Sequence, residues 1–150
     1  MSAETGGPER YYEVARCGDI ILKVPAGAGT VGLVVSSHVL CSTSPVFRAM
    51  LGQDSQFKEA SELRKCSIEN PYELSLVDDY PNALTIVLLA LHCRSELVPV
   101  SITFRNLVEL AIVCDKYDCR EGVFSWVGTW TAAWKPRMLE KGYEEWLFVA

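Results

Sequence analysis

Residues 24–35 read Val24-Pro25-Ala26-Gly27-Ala28-Gly29-Thr30-Val31-Gly32-Leu33-Val34-Val35, and Gly27 to Gly32 within them is formally G-x-G-x-x-G. The stretch follows an apolar run, Ile20-Ile21-Leu22-Lys23-Val24, of strand character. A phosphate-binding loop of this form needs a helix that starts inside the motif, because helix N-terminal N–H groups hold the pyrophosphate. Here the motif runs on into Val31, Leu33, Val34 and Val35, which is strand chemistry, and then meets a serine. The reading is a turn between two strands, with the glycines supplying positive φ. Asp54, near the spacing of a ribose-binding acid, falls in a polar loop after Gly52. The context of a dinucleotide site fails, and no cofactor is expected.

The pattern changes on either side of the hairpin. Ser36 to Cys41 reads as a short helical turn capped by serine. Ser44-Pro45-Val46-Phe47-Arg48-Ala49-Met50-Leu51 repeats the idea, with proline at the first helical position and Gly52 as its stop. Gln53 to Lys65 is a polar loop with a helical turn. Cys66-Ser67-Ile68 and Tyr72 to Val77 are strand candidates. Asp78-Asp79-Tyr80-Pro81 starts a helix that runs to about Cys93, apolar nearly all round and hence central and buried. Ser101–Tyr117 and Cys119–Trp134 carry helical periodicity and are joined at Asp118 as antiparallel neighbours. The chain closes on an apolar run, Trp146-Leu147-Phe148-Val149-Ala150, which points to a longer parent.

The chain has 150 residues, 49% hydrophobic and 22% charged, a balance that allows one domain with a proper core. Its net charge of -5 would repel phosphate backbones, so nucleic acid is not an expected partner. The polar start, Met1 to Arg10, has no apolar core of a signal peptide, and the longest apolar block, Ala83–Leu91, is too short to span a bilayer. No membrane association is expected, and the expected location is cytoplasmic, nuclear or both. The six cysteines, at 17, 41, 66, 93, 114 and 119, include no C-x-x-C pair, so buried reduced thiols are expected rather than a metal site.

Three segments together, Gly18-Asp19-Ile20-Ile21-Leu22, His38-Val39-Leu40 and Ser44-Pro45-Val46-Phe47-Arg48-Ala49-Met50-Leu51, resemble the signature of the BTB/POZ domain. The resemblance covers about residues 16–134. Val77-Asp78-Asp79-Tyr80-Pro81 and Cys114-Asp115-Lys116-Tyr117-Asp118-Cys119 look like the small single-domain BTB proteins of filamentous fungi. The resemblance implies an α+β fold, a cluster of helices flanked by a small mixed sheet. Residues 1–15 would then be a disordered or dimer-swapping N-terminal segment, and 135–150 the start of a truncated helical extension.

It also implies a non-enzymatic, homodimerising interaction module. Such a module is a candidate adaptor for a cullin-based ubiquitin ligase, or else a transcriptional or scaffold regulator without cullin binding. The dimer interface would take Tyr11, Tyr12 and Val14 of the N-terminal segment, and Val39, Leu40, Val46 and Phe47 of two short helices that can hardly all be buried in a small domain. Asp19 and His38 would be structural. Asp19 is read as a strand-start aspartate bonding backbone N–H groups. The family's repressors pair that aspartate with a basic residue just after the helix histidine. Val39 stands there, so a corepressor pocket of that design does not carry over.

Phe57-Lys58-Glu59 resembles the hydrophobic-x-Glu motif of cullin-binding members, with Phe57 and Glu59 as the contacts; the alternative is that Phe57 folds back onto its own domain. Trp126, Trp130 and Trp134 form a helical stripe read chiefly as core. An enzyme reading would rest on the glycine loop or on a Cys41–His38 dyad. The dyad would need an accessible, electropositive thiol, whereas Val39 and Leu40 surround it with apolar chain.

Overall fold

The computed structural model of the chain describes residues 7–149. Its sheet has the strand order β1-β3-β2-β4. Strand β2 (Ile20–Ala26) and strand β3 (Gly29–Val35) form an antiparallel hairpin around the two-residue loop Gly27-Ala28. Gly27 has φ 62°, and Ala28 is not left-handed, which is the type II′ pattern that matches strand twist. The expectation of positive φ therefore holds for the first glycine of the motif alone. A Cβ on Gly29 would lie 2.3 Å from the Pro8 carbonyl oxygen, and one on Gly32 2.8 Å from the Tyr11 ring. These two glycines give room for another strand, not for a phosphate.

That strand is β1 (Glu9–Glu13), parallel to β3 with Tyr11 opposite Gly32. Sequence reading took the segment as irregular or as an arm exchanged between copies; residues 9–13 instead pair within their own chain. All five are exposed, so Glu-Arg-Tyr-Tyr-Glu shows no apolar alternation to announce a strand. Lys23 on β2 reaches across to contact the Glu9 carboxylate and the Tyr11 hydroxyl. The Glu9 and Tyr11 partners push the Lys23 ammonium up, and Lys23 holds the Glu9 carboxyl below its usual range. Residues 1–6 of the expected lead-in lie outside the described residues.

On its inner face the sheet places Ile20, Leu22, Val24, Leu33 and Val35, all fully buried. Helix α1 (Ser37–Thr43) and helix α2 (Pro45–Leu51) follow as read. The Ser36 hydroxyl accepts from Val39 N, and the Ser44 hydroxyl from Phe47 N. The polar stretch that follows is more ordered than its composition suggested: it contains helix α3 (Lys58–Arg64). Cys66-Ser67-Ile68 is not a strand. Ser67 and Asn70 close a turn with mutual backbone bonds, and Ile68 is exposed.

Strand β4 (Tyr72–Ser75) runs parallel to β2. Helix α4 (Pro81–Leu91) is central, with every residue from Ala83 to Leu91 buried except Thr85. Helix α5 (Phe104–Tyr117) and helix α6 (Arg120–Ala132) pack beside it, joined through Asp118 in the left-handed region. After a 3₁₀ turn (Lys135–Arg137), helix α7 (Trp146–Val149) returns to α5. There the Phe104 ring meets Tyr143 at 4.8 Å and Trp146 at 6.3 Å between centroids. The fold is α+β, a cluster of helices flanked by a small mixed sheet. Among the described residues no helix is long and apolar enough to cross a membrane.

Candidate interaction surfaces

Asp19 sits at the mouth of β2 and holds the start of α1. Its carboxylate accepts from Ser37 N at 2.8 Å and from the Ser37 hydroxyl at 2.5 Å. This is the backbone-bonding aspartate expected, with a serine rather than a basic residue as its side-chain partner.

His38 is the correction. It is exposed, and only its backbone carbonyl is engaged, by Ser42. The structural histidine is His92, just after α4. Its Nε2 accepts from Ser36 N at 3.1 Å and its Nδ1 donates to the Leu88 carbonyl at 2.8 Å. Both ring nitrogens are satisfied only when the ring is neutral, and burial lowers its affinity for a second proton. Cys41 lies near Phe47, its thiol 3.8 Å from that carbonyl oxygen, and burial raises it. A thiol held up in this way is not the thiolate a Cys–His dyad requires.

The seven residues expected at a dimer interface divide in two. Val14, Leu40 and Phe47 are buried in the chain's own core, at 0%, 0% and 1% exposure. They cannot present a surface to a second copy of this conformation, and that part of the expectation is corrected. The reason lies in depth: Val14 N bonds the Val34 carbonyl at the end of β1, and the Phe47 ring stacks on Tyr117 at 4.5 Å. Tyr11 and Tyr12 on β1 and Val46 on α2 are exposed, and Val39 is half-buried. Val39 shares a shallow cleft with Ala15, Arg16 and His92, which joins the segment after β1 to the start of α1.

Phe57 is the residue preceding α3 and is 60% exposed, so it does not fold back into the core. Glu59, in the first turn of α3, is half-buried. Both stand at the start of α3, where the Ser55 hydroxyl accepts from the Phe57 backbone N–H at 3.2 Å.

Trp130 is buried and its Nε1 donates to the Pro99 carbonyl at 2.8 Å; Trp134 Nε1 donates to Ile102 at 3.2 Å. The stripe thus clamps the irregular segment that leads into α5, and its main role is core. The outer side of α6 is different. Phe124 is 78% exposed beside a groove of about 620 Å³ between α5 and α6, which Ile112 and Val127 also line.

Sequence reading missed a buried hub that joins its own motifs. The Asp79 carboxylate accepts from the Tyr117 hydroxyl and from Lys116 Nζ, while the Ser44 hydroxyl donates to the Tyr117 carbonyl. A pair of acids before an apolar helix was the only signal available. No protein-family model matches this chain, and no curated protein matches it either.

Proposed function

We propose that the chain is a protein–protein interaction module of the BTB/POZ type, with no chemistry of its own, that pairs with a second copy through β1 and the adjoining helices α1 and α2. The observation that carries this reading is β1 itself. It is an edge strand with five exposed residues, two of them tyrosines. An edge strand offers a row of N–H and C=O groups to another chain. Beside it, Val39 and Val46 supply apolar contact area. All six cysteines are free thiols, which fits a reducing compartment, cytoplasm or nucleus. Size exclusion with light scattering at micromolar concentration tests the reading. The expected mass is twice the 16.7 kDa of the chain, and a monomer across that range overturns it.

A second reading, that the module is an adaptor for a cullin scaffold, is favoured by Phe57. A single exposed aromatic at a helix start, beside a carboxylate and among polar neighbours, has the form of an anchor for a partner's pocket. Calorimetry with a cullin N-terminal fragment from the same host tests it, and absence of heat with the unaltered chain removes it.

A further inference from the structure

The joint between α5 and α6 brings two cysteines together. Asp118 is left-handed, with φ 49° and ψ 52°. Asp118 N donates to the Asp115 carbonyl at 3.3 Å, and Cys119 N to the Cys114 carbonyl at 3.1 Å. These two bonds define a Schellman ending, in which the side chains three residues inside the helix and two residues past its last turn touch. Usually that contact joins two apolar groups. Here the two positions that such an ending brings together are Cys114 and Cys119, and both are buried.

From this geometry we propose that Cys114 and Cys119 form an oxidisable dithiol site, which peroxide closes to an intrachain disulfide across the α5–α6 joint. The neighbouring Cys119 thiol, with burial added, pushes Cys114 up, so the two sulfurs sense each other. Access comes from the groove between the helices, which Cys114 lines.

The chemistry balances with hydrogen peroxide as the oxidant. One of the two sulfurs, as thiolate, attacks one peroxide oxygen, the O–O bond breaks, and a sulfenic acid and hydroxide result. The other thiol then attacks the sulfenic sulfur; its proton leaves with the sulfenic hydroxyl as water, and the proton released when the first thiolate formed neutralises the hydroxide. Two thiols lose two electrons and two protons, and peroxide becomes two waters. Cys17 and Cys93 are the exposed thiols but have no partner fixed against them by a helix ending.

The sequence makes the product easy to see. Trypsin cuts after Arg105, Lys116 and Arg120, so Cys114 and Cys119 fall in separate peptides, 106–116 and 117–120. A chain with Cys17→Ser and Cys93→Ser is treated with peroxide while folded, alkylated in denaturant, digested and analysed by mass spectrometry. The expected result is the two peptides linked, two hydrogens lighter than their sum, and separated by dithiothreitol. Cys119→Ser should abolish the link and leave Cys114 alkylated. Recovery of both cysteines as separate alkylated thiols, or as separate sulfur acids, overturns the proposal. If the serine variant does not fold, the unaltered chain with its exposed thiols first blocked by N-ethylmaleimide gives the same readout.

Discussion

The Tyr117 hydroxyl donates to the Asp79 carboxylate across 2.6 Å, joining the last turn of α5 to the residue two before α4. The same tyrosine stacks on Phe47 at an interplanar angle of 7° and takes the Ser44 hydroxyl on its carbonyl at 2.5 Å. One residue therefore fixes the starts of α2 and α4 against the end of α5. Burial, reinforced by the Asp79 partner, pushes the phenol up, so it stays a donor at physiological pH.

Tyr117→Phe keeps the stack and removes the hydroxyl. It leaves a carboxylate whose side chain is 1% exposed with Lys116 as its remaining partner. The expected loss is about 1–3 kcal/mol in urea unfolding. Lys116→Ala should cost about 1 kcal/mol or less, because the Lys116 side chain is 43% exposed and the Tyr117 hydroxyl stays on the carboxylate.

His92 makes stability pH-dependent with a definite sign. Its folded value lies below the ordinary 6.5, so the unfolded chain takes up the proton first. The contribution is complete above 6.5 and is lost as pH falls through the folded value, when Nε2 can no longer accept from Ser36 N. Arg94, the nearest charge on the same segment, pushes in the same direction. Melting temperatures of the unaltered chain and of His92→Ala should converge on going from pH 7.5 to acid (roughly pH 5).

The three glycines of residues 27–32 separate by mechanism. Gly29→Ala drives a Cβ into the Pro8 carbonyl and should detach β1. Gly27→Ala meets no atom but pays for its φ of 62°, about 1 kcal/mol. Gly32→Ala puts a Cβ 2.8 Å from the exposed Tyr11 ring and 3.1 Å from Ile21, so the ring must swing aside while the β1 backbone keeps its register. Nuclear magnetic resonance of the Glu9–Glu13 amides distinguishes the first from the others. Millimolar dinucleotide should leave the melting temperature of the unaltered chain where it is.

Val46→Glu, on the exposed side of α2, should lower the dimer fraction in light scattering without changing the unfolding midpoint of the monomer. Phe47→Ala, one residue on, should do the opposite and cost about 3–5 kcal/mol of stability. The contrast follows from 36% against 1% exposure.

Phe57→Ala should weaken binding of a cullin fragment by about 2 kcal/mol or more. Glu59→Ala should cost less, because an ion pair outside the anchor's pocket contributes about 1 kcal/mol or less. Neither should move the melting temperature by more than a degree or so, since Phe57 contributes little to the core.

Local chemistry carried most of what was legible in advance. Ser36 and Ser44 cap helices whose first turns lie next to them in sequence, and Gly27 turns a hairpin of adjacent strands. Phe47 and Val46 are both apolar on one short helix, and periodicity could not say which met the core and which met solvent. β1 was missed because a strand with no buried face has no alternation. His92 and Tyr117 were missed as anchors because their partners lie far along the chain, at Ser36 and at Asp79 and Ser44. Phe57 shows the reverse: a polar neighbourhood in sequence corresponds to real exposure.

The parallel pairing of the two outer strands has a consequence for the order of assembly. Of the paired strands only β2 and β3 are consecutive in sequence; β4 joins β2 with Ile20 opposite Tyr72, and β1 joins β3 with β2 between them in the chain. Closing those longer loops must precede any reward from their bonds, so the hairpin nucleates and the flanks dock after it. In reverse, β1 is the first to leave. Its departure uncovers Gly29 and Gly32 but leaves the hairpin intact, and hydrogen exchange should report it as a separate, low-energy opening. An arm that detaches without unfolding its host is the element two copies can trade.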